Sequence, residues 1–253
     1  MEVSIKLRSA STSDSLVNPN DYQSLIGSLM YLVVGTRPDI AFAVATLSKF
    51  NSQPSELHYT TAKRLLRYLK HTRDLVLQYG PATNQTNPHS SKALFNLHGF
   101  SDSDFAGDTE DRKSTSGYVF CAAGSAVSWR AKKQKLVSLS TVEAEYIGYS
   151  EAAREAVWLQ QLLYEITGRT TGPIQILCDN QGAIEITKNP KFHERTKHID
   201  VKYHFVRSAY TDGKIELQYL STTEQLADIM TKPLSREVHW RHVQGLGLVD
   251  GLI

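Results

Sequence analysis

The order of strand and helix patterns over residues 94–231 restricts the possible folds of this chain more than any other feature. Apolar strand patterns come first, a long helical pattern follows, and strand and helix patterns then alternate. Consecutive strands favour an antiparallel meander, and a helix that leads to a further strand favours a parallel crossover. The sequence therefore predicts an α/β (α+β) fold with a mixed sheet flanked by helices.

The predicted elements have defined bounds. Strands are expected at 94–101 and 117–123, in two short apolar segments at 127–129 and 136–139, and at 174–179 and 214–220; helices are expected at 141–166, 181–188, 199–210 and 223–231. The basic run 130–135 lies between the two short segments. It is predicted either as a solvated hairpin turn or as an edge that contacts phosphate groups.

The chain before this region has helical character. Apolar residues recur at three- and four-residue spacing in three segments, 22–33, 40–50 and 57–69. We expect an irregular lead-in at 1–18, a small helical segment at 19–80, a linker at 81–92, the mixed-sheet domain at 93–232 and a helical tail at 233–253. The linker is predicted because residues 80–92 include two prolines and almost no apolar side chains.

Composition and charge exclude several classes of protein. Hydrophobic residues make up 41% and charged residues 21% of the 253 residues, which favours a folded chain over a disordered one. Only two cysteines occur, Cys121 and Cys178, so a disulfide scaffold and a multi-thiolate zinc site are excluded. No apolar run reaches the roughly 20 residues of a membrane span, and no secretion signal is recognisable. An intracellular protein or an internal fragment is expected.

Three acidic residues are predicted to converge at one edge of the sheet. Asp102 follows the first strand, Glu145 lies in the first turns of the long helix, and Asp179 follows the strand at 174–179. If these two strands are neighbours, their carboxylates meet at the edge where α/β active sites form. Clustered carboxylates repel one another unless a cation binds, and oxygen-only ligands suit Mg²⁺ or Mn²⁺.

Several strings in the sequence resemble those of a known family. GFSDSD, EAEYIG and LCDNQGAIEI are similar to the acidic motifs of ribonuclease H domains. RKSTSGYVF, RTKHIDVKYHF and EQLADIMTK resemble the Ty1/copia branch of retrotransposon polyproteins, and YQSLIGSLMYL with TRPDI resembles the segment that joins polymerase and ribonuclease H there. The resemblance covers almost the whole chain and implies a ribonuclease H-like fold preceded by a remnant of the polymerase thumb or connection.

The resemblance also implies a site and a reaction. Asp102, Glu145, Asp179 and Asp228 would be catalytic metal ligands, and two Mg²⁺ or Mn²⁺ ions would promote hydrolysis of the RNA strand of an RNA–DNA hybrid. Glu143 competes with Glu145, because residues two apart on a helix cannot both face one site, and Glu145 is preferred because the Tyr-Ile-Gly after it matches the family's pattern. Asp104 is the analogous rival of Asp102. The family's usual histidine-bearing loop is missing, since residues 219–224 contain no histidine. Product release or proton transfer is therefore expected to differ.

A second resemblance points to another class of function. Arg64, Leu65, Leu66 and Arg67 fit the RxLR pattern of secreted effectors from oomycete plant pathogens. This alternative implies a chain that is secreted, translocated into a host plant cell, and acts there on a host protein to modulate cell death. A retroelement product would instead remain in the cytoplasm, nucleus or virus-like particle. An effector should tolerate loss of Asp102 or Asp179, whereas a nuclease should not.

Other residues favour structural roles. His193, His198 and His204 are interleaved with basic residues that would repel a metal ion, so a zinc site is not expected. Trp129 and Trp158 are predicted as core residues rather than as base-stacking platforms.

Overall fold

The computed structural model describes residues 7–80, 96–188 and 200–251, with side chains of the last range from residue 204. Its helices and strands, in chain order, are α1 (Pro19–Gly35), a 3₁₀ helix (Pro38–Ile40) leading into α2 (Ala41–Ser48), α3 (Glu56–His71), β1 (Leu75–Leu77), β2 (His98–Ser103), β3 (Thr115–Ala122), β4 (Ser125–Lys133), α4 (Thr141–Thr167), β5 (Ile174–Cys178), α5 (Gln181–Lys188), α6 (Asp200–Thr211), β6 (Ile215–Tyr219), two 3₁₀ helices (Thr222–Glu224 and Leu226–Met230), α7 (Arg236–Gly245) and β7 (Leu248–Asp250). No described helix has the length and apolarity needed to cross a membrane.

The chain divides into two compact units. One, the helical unit, combines residues 1–78 with residues 232–253; the other, the sheet unit, comprises residues 79–231. The C-terminal segment thus joins the N-terminal helices, a pairing that the linear domain order predicted from the sequence did not include. Strand β7 completes it by pairing antiparallel with β1. The expected linker at 81–92 lies outside the described residues.

The helical unit packs α1, α2 and α3 around an apolar core that includes Tyr22, Leu29 and Leu47. The hydroxyl of Tyr22 donates a hydrogen bond to the carbonyl of Leu47 at 2.9 Å, so this buried polar group is satisfied. A buried ion pair lies beside this core. Arg37 donates to both carboxylate oxygens of Asp39, at 2.9 and 2.7 Å. The positive charge of Arg37 and the negative charge of Asp39 thus neutralise each other, as burial of an ion pair requires.

The sheet unit confirms the predicted mixed sheet. Its strand order is β4-β3-β2-β5-β6, with β2, β3 and β4 forming an antiparallel meander and β5 and β6 added in parallel. Helix α4 is N-capped by Ser140 and ends at Gly168, whose φ of 65° suits glycine. Alanine residues on α4 and bulky residues on the strands form the core, including Ala152, Ala156, Phe120 and Ile176.

Three predicted elements differ from those of the structure. Most of the basic run 130–135 lies in strand β4 rather than in a hairpin turn. The turn falls earlier, at Ala123 and Gly124, whose φ values of 51° and 86° match a tight two-residue hairpin connection. Residues 136–139 form no strand, because Gln134 turns inward and donates to the carbonyl of Ala144. The helix expected at 223–231 is instead two short 3₁₀ helices.

Candidate metal centre

Three of the four predicted carboxylates meet at one edge of the sheet. One oxygen each from Asp102, Glu145 and Asp179 lies within 4.8 Å of the other two. Strands β2 and β5 are parallel neighbours in which Phe100 is opposite Leu177, so two residues further on Asp102 falls level with Asp179. Asp102 and Glu145 are buried, with 2% and 7% of their surface exposed. The group is therefore a dense negative charge held largely away from water.

Gly148 allows the helix to bring Glu145 to this edge. It lies one turn after Glu145 on α4, and a Cβ added there would be 2.5 Å from the Oγ of Ser103 and 3.4 Å from the carbonyl oxygen of Asp102. A side chain at this position would therefore require Ser103 or α4 to move. The glycine of the EAEYIG string thus has a steric role in assembling the carboxylates.

Asp228 lies on a neighbouring segment, the 3₁₀ helix Leu226–Met230, and is buried. It falls outside the group of three whose oxygens share the 4.8 Å limit. Two hydrogen bonds fix its segment against β2. The side-chain amide of Gln225 donates to the carbonyl of Ser101 at 3.1 Å, and the hydroxyl of Thr231 donates to Oδ2 of Asp102. The fourth carboxylate is thereby held beside the other three.

Gly117 makes room for this segment. It is the register partner of Asp102 on β3. A Cβ added at Gly117 would overlap the Cβ of Met230 and lie 3.3 Å from the carbonyl carbon of Met230. The glycine of the RKSTSGYVF string therefore permits the 3₁₀ helix to cross β3 next to Asp102.

The two competing carboxylates have other partners. Glu143 accepts a hydrogen bond from the backbone N–H of Leu139 at 2.9 Å, and its own N–H donates to Oγ of the N-cap residue Ser140. Glu143 therefore stabilises the first turn of α4, where a negative charge also interacts favourably with the helix dipole. Asp104 accepts a hydrogen bond from the N–H of Thr115 through Oδ1, which ties it to the turn before β3. Neither belongs to the group of three.

The donor set fits a hard divalent cation. All three ligand atoms are carboxylate oxygens, and their mutual repulsion in a buried place is relieved when a cation binds between them. The nearby Cys178 is unsuited to bind as a thiolate. Complete burial raises the pKa of its thiol well above the usual range, with Glu145 and Asp179 adding to the shift. The chemistry of this centre therefore rests on oxygen ligands.

Sequence reasoning missed four residues that shape this centre: Gly117, Gly148, Gln225 and Thr231. The two glycines stand inside the strings that carry the resemblance, and that position was the available signal. Of the three histidines considered, His193 and His198 lie outside the described residues, and His204 is exposed on α6. Trp129 is half-buried, whereas the prediction for Trp158 is wrong because 56% of its surface is exposed.

Comparison with known proteins decides the family. No family model matches the chain. It is 43% identical over 215 residues to the retrovirus-related Pol polyprotein from transposon TNT 1-94 of Nicotiana tabacum, and 41% identical over 233 residues to that from transposon RE1 of Arabidopsis thaliana. These matches cover 85% and 92% of the chain. The chain belongs to the copia-type Pol polyproteins. It spans 15% of the length of each of these two relatives.

Another relative carries a different name. The chain is 49% identical over 138 residues to secreted RxLR effector protein 161 of Plasmopara viticola, and this match covers 54% of the chain and 90% of that protein.

Solved structures similar to this copia-type chain include the N-terminal RNase H domain of Rv2228c from Mycobacterium tuberculosis. The sequence identity is 12%, the TM-score is 0.41, and the match covers 58% of this chain and 96% of that one. The sheet unit has a ribonuclease H-like fold, given its meander and parallel additions and the family of its relatives.

Proposed function

We propose that this copia-type chain hydrolyses the RNA strand of RNA–DNA hybrids, using divalent metal ions held by Asp102, Glu145, Asp179 and Asp228. The observation that carries the proposal is the meeting of three carboxylates from β2, α4 and the end of β5, of which Asp102 and Glu145 are buried and Asp179 is half-buried. Bound Mg²⁺ or Mn²⁺ would supply an activated water and neutralise charge on the phosphate and the leaving oxygen.

The protein's own contribution is the placement of the ligands. Asp102 and Asp179 are fixed by neighbouring parallel strands, and Glu145 by a helix that Gly148 allows to approach. The hydroxyl of Thr231 holds one oxygen of Asp102, which orients that carboxylate before a metal arrives. Such preorganisation lowers the cost of assembling the site. Recognition of the hybrid would rest on its shape and on 2′-hydroxyl contacts.

The effector function has less structural support. The four residues Arg64 to Arg67 lie in the middle of α3, and Leu65 is buried in the helical unit. The tetrad is therefore part of a packed helix, and this packing explains Leu65 without a targeting role. The effector protein of Plasmopara viticola is similar in sequence to this chain, but the secretion and effector role in its name are stated of that protein alone.

Cleavage of a labelled RNA–DNA hybrid in Mg²⁺ tests the proposal. The parent should cleave, whereas Asp102→Asn and Asp179→Asn should lose at least about 100-fold in rate, since each removes a ligand charge. Asp212→Asn is the matched control, because Asp212 is an exposed carboxylate of the same unit. Mg²⁺ should also raise the Tm of the parent and of the control but not of the two ligand variants. No cleavage by the parent, or equal cleavage by all four proteins, would contradict the proposal.

A further inference from the structure

The helical unit contains a cavity of about 1070 Å³ between α2, α3 and the start of α7. Its volume is at the upper end of the range for ligand-binding clefts. All of its lining residues belong to the helical unit, so it is separate from the carboxylate centre of the sheet unit. Two of the residues that line it are Arg64 and Arg67, the arginines of the RxLR-like tetrad, which lie one helical turn apart.

The charge of this cavity is positive. Arg67 and Arg236 both line it and are exposed, and neither side chain has a hydrogen bond or ion pair with any described residue. Arg64 adds a third guanidinium. Guanidinium groups such as those of Arg67 and Arg236, uncompensated and converging on one concavity, favour an anionic ligand, with phosphate matched best by the guanidinium fork.

The only carboxylate in the described lining cannot neutralise these arginines. Asp39 already accepts two hydrogen bonds from Arg37, and the hydroxyl of Tyr68 donates to its Oδ2 at 2.7 Å. Burial lowers the pKa of His239, which also lines the cavity, so this imidazole is neutral at pH 7 and adds no charge. The positive charge of the cavity therefore comes from arginines that are always protonated.

Part of the cavity wall is apolar and aromatic, beside polar residues such as Thr61 and Ser235. Trp240, half-buried on α7, lines it together with Ile40, Ala43 and Leu65. A tryptophan face beside several arginines suits a ligand with a flat base next to phosphate groups. A duplex keeps its bases paired and stacked, and would have to unpair one to reach this wall. A single strand offers its bases at no such cost.

We propose that this cavity binds single-stranded nucleic acid, with Arg67 and Arg236 contacting phosphates and Trp240 stacking on a base. This goes beyond the hydrolytic function, because the described lining of the cavity holds no metal-binding carboxylate cluster and the proposed binding needs no divalent ion. It also gives the RxLR-like tetrad a role, in which Arg64 and Arg67 face the ligand and Leu65 anchors α3.

Binding of a fluorescein-labelled oligothymidylate of about 12 nucleotides to the full chain tests the proposal. EDTA is present, so that metal-dependent binding at the carboxylate centre does not contribute. The Arg67→Gln/Arg236→Gln variant should bind at least about tenfold more weakly. Its affinity should also depend less steeply on salt, by about 0.7 in log–log slope for each phosphate that the variant no longer neutralises. Lys70→Gln/Arg241→Gln is the matched control, because it removes two exposed charges from the same two helices outside the cavity.

Tryptophan fluorescence provides a second measurement. The chain has three tryptophans, and stacking should quench the emission of Trp240. Trp240→Phe should abolish the quenching on binding, whereas Trp158→Phe should leave it unchanged. Equal weakening by the two charge variants, absence of binding, or equal competition by an oligoglutamate peptide would each overturn the proposal. Because hybrid cleavage is measured separately with Mg²⁺, loss of one function does not imply loss of the other.

Discussion

Asp102 and Gly117 are opposite one another on β2 and β3, and the bare Cα of Gly117 lies beneath the 3₁₀ helix that carries Asp228. The absence of a side chain at Gly117 therefore lets the segment that carries Asp228 lie close to Asp102. The arrangement also explains why Thr231, at the end of that helix, reaches the carboxylate of Asp102.

Replacement of Gly117 by alanine should displace the 3₁₀ helix Leu226–Met230, since the new Cβ would overlap Met230. We expect a loss of stability of about 1 to 3 kcal/mol, as for other insertions into packed sites. Hybrid cleavage should fall at least about tenfold, because a small displacement of a positioned group is enough to cost that much. Thermal unfolding and cleavage rates measure the two effects. Gly27→Ala is the control, because nothing lies within 4 Å of its added Cβ.

Gly148→Ala should separate α4 from β2 by way of Ser103, whose Oγ would be 2.5 Å from the added Cβ. The Mg²⁺-dependent rise in Tm should shrink as Glu145 moves away. Adding Ser103→Ala removes the obstructing oxygen and should restore part of the rise. A double-mutant cycle on Tm and cleavage rate measures this coupling. Strictly additive effects would show that Ser103 is not the obstruction.

Glu145→Gln and Glu143→Gln should differ in what they impair. The first should abolish the Mg²⁺-dependent Tm increase and hybrid cleavage, while leaving stability without metal unchanged or raised, because one repulsive charge is removed. The second should lower stability by about 0.5 to 2 kcal/mol through loss of the charge at the start of α4, and should retain cleavage. The reverse pattern would assign the ligand to Glu143.

The stability of the helical unit should fall as the pH drops from about 6.5 to about 4. Burial, together with Arg241, His239 and Lys232, lowers the pKa of His242 to about 4 from an ordinary 6.5. Between these values the unfolded chain binds the additional proton, so stability is complete above pH 6.5 and declines below it, by about 1.4 kcal/mol per pKa unit. Tm measured against pH should have a smaller slope in His242→Gln.

Much of the sheet unit could be predicted from the sequence, because its strands and carboxylates follow local rules. Asp102 and Asp179 end parallel neighbours, and the general position of active sites in α/β sheets predicts that they meet. The segment predicted at 127–129 lies within strand β4, but the bounds of this strand could not be predicted, because the turn at Ala123 and Gly124 has a weak signal while the basic run after Trp129 is more typical of a turn.

The remaining errors have tertiary causes. Trp158 lies on the long helix α4, and whether that face is covered depends on which elements pack there. The roles of Gly117 and Gly148 could not be predicted from sequence periodicity. Each glycine matters because a segment distant in sequence packs closely against its backbone.

The pairing of β1 with β7 makes the helical unit discontinuous in sequence. A chain cut after Thr231 would keep every carboxylate of the metal centre, but the hydrogen-bonding edge of Leu75–Leu77 would be left uncovered. Exposed strand edges recruit other strands. We therefore expect the truncated chain to self-associate rather than to remain monomeric.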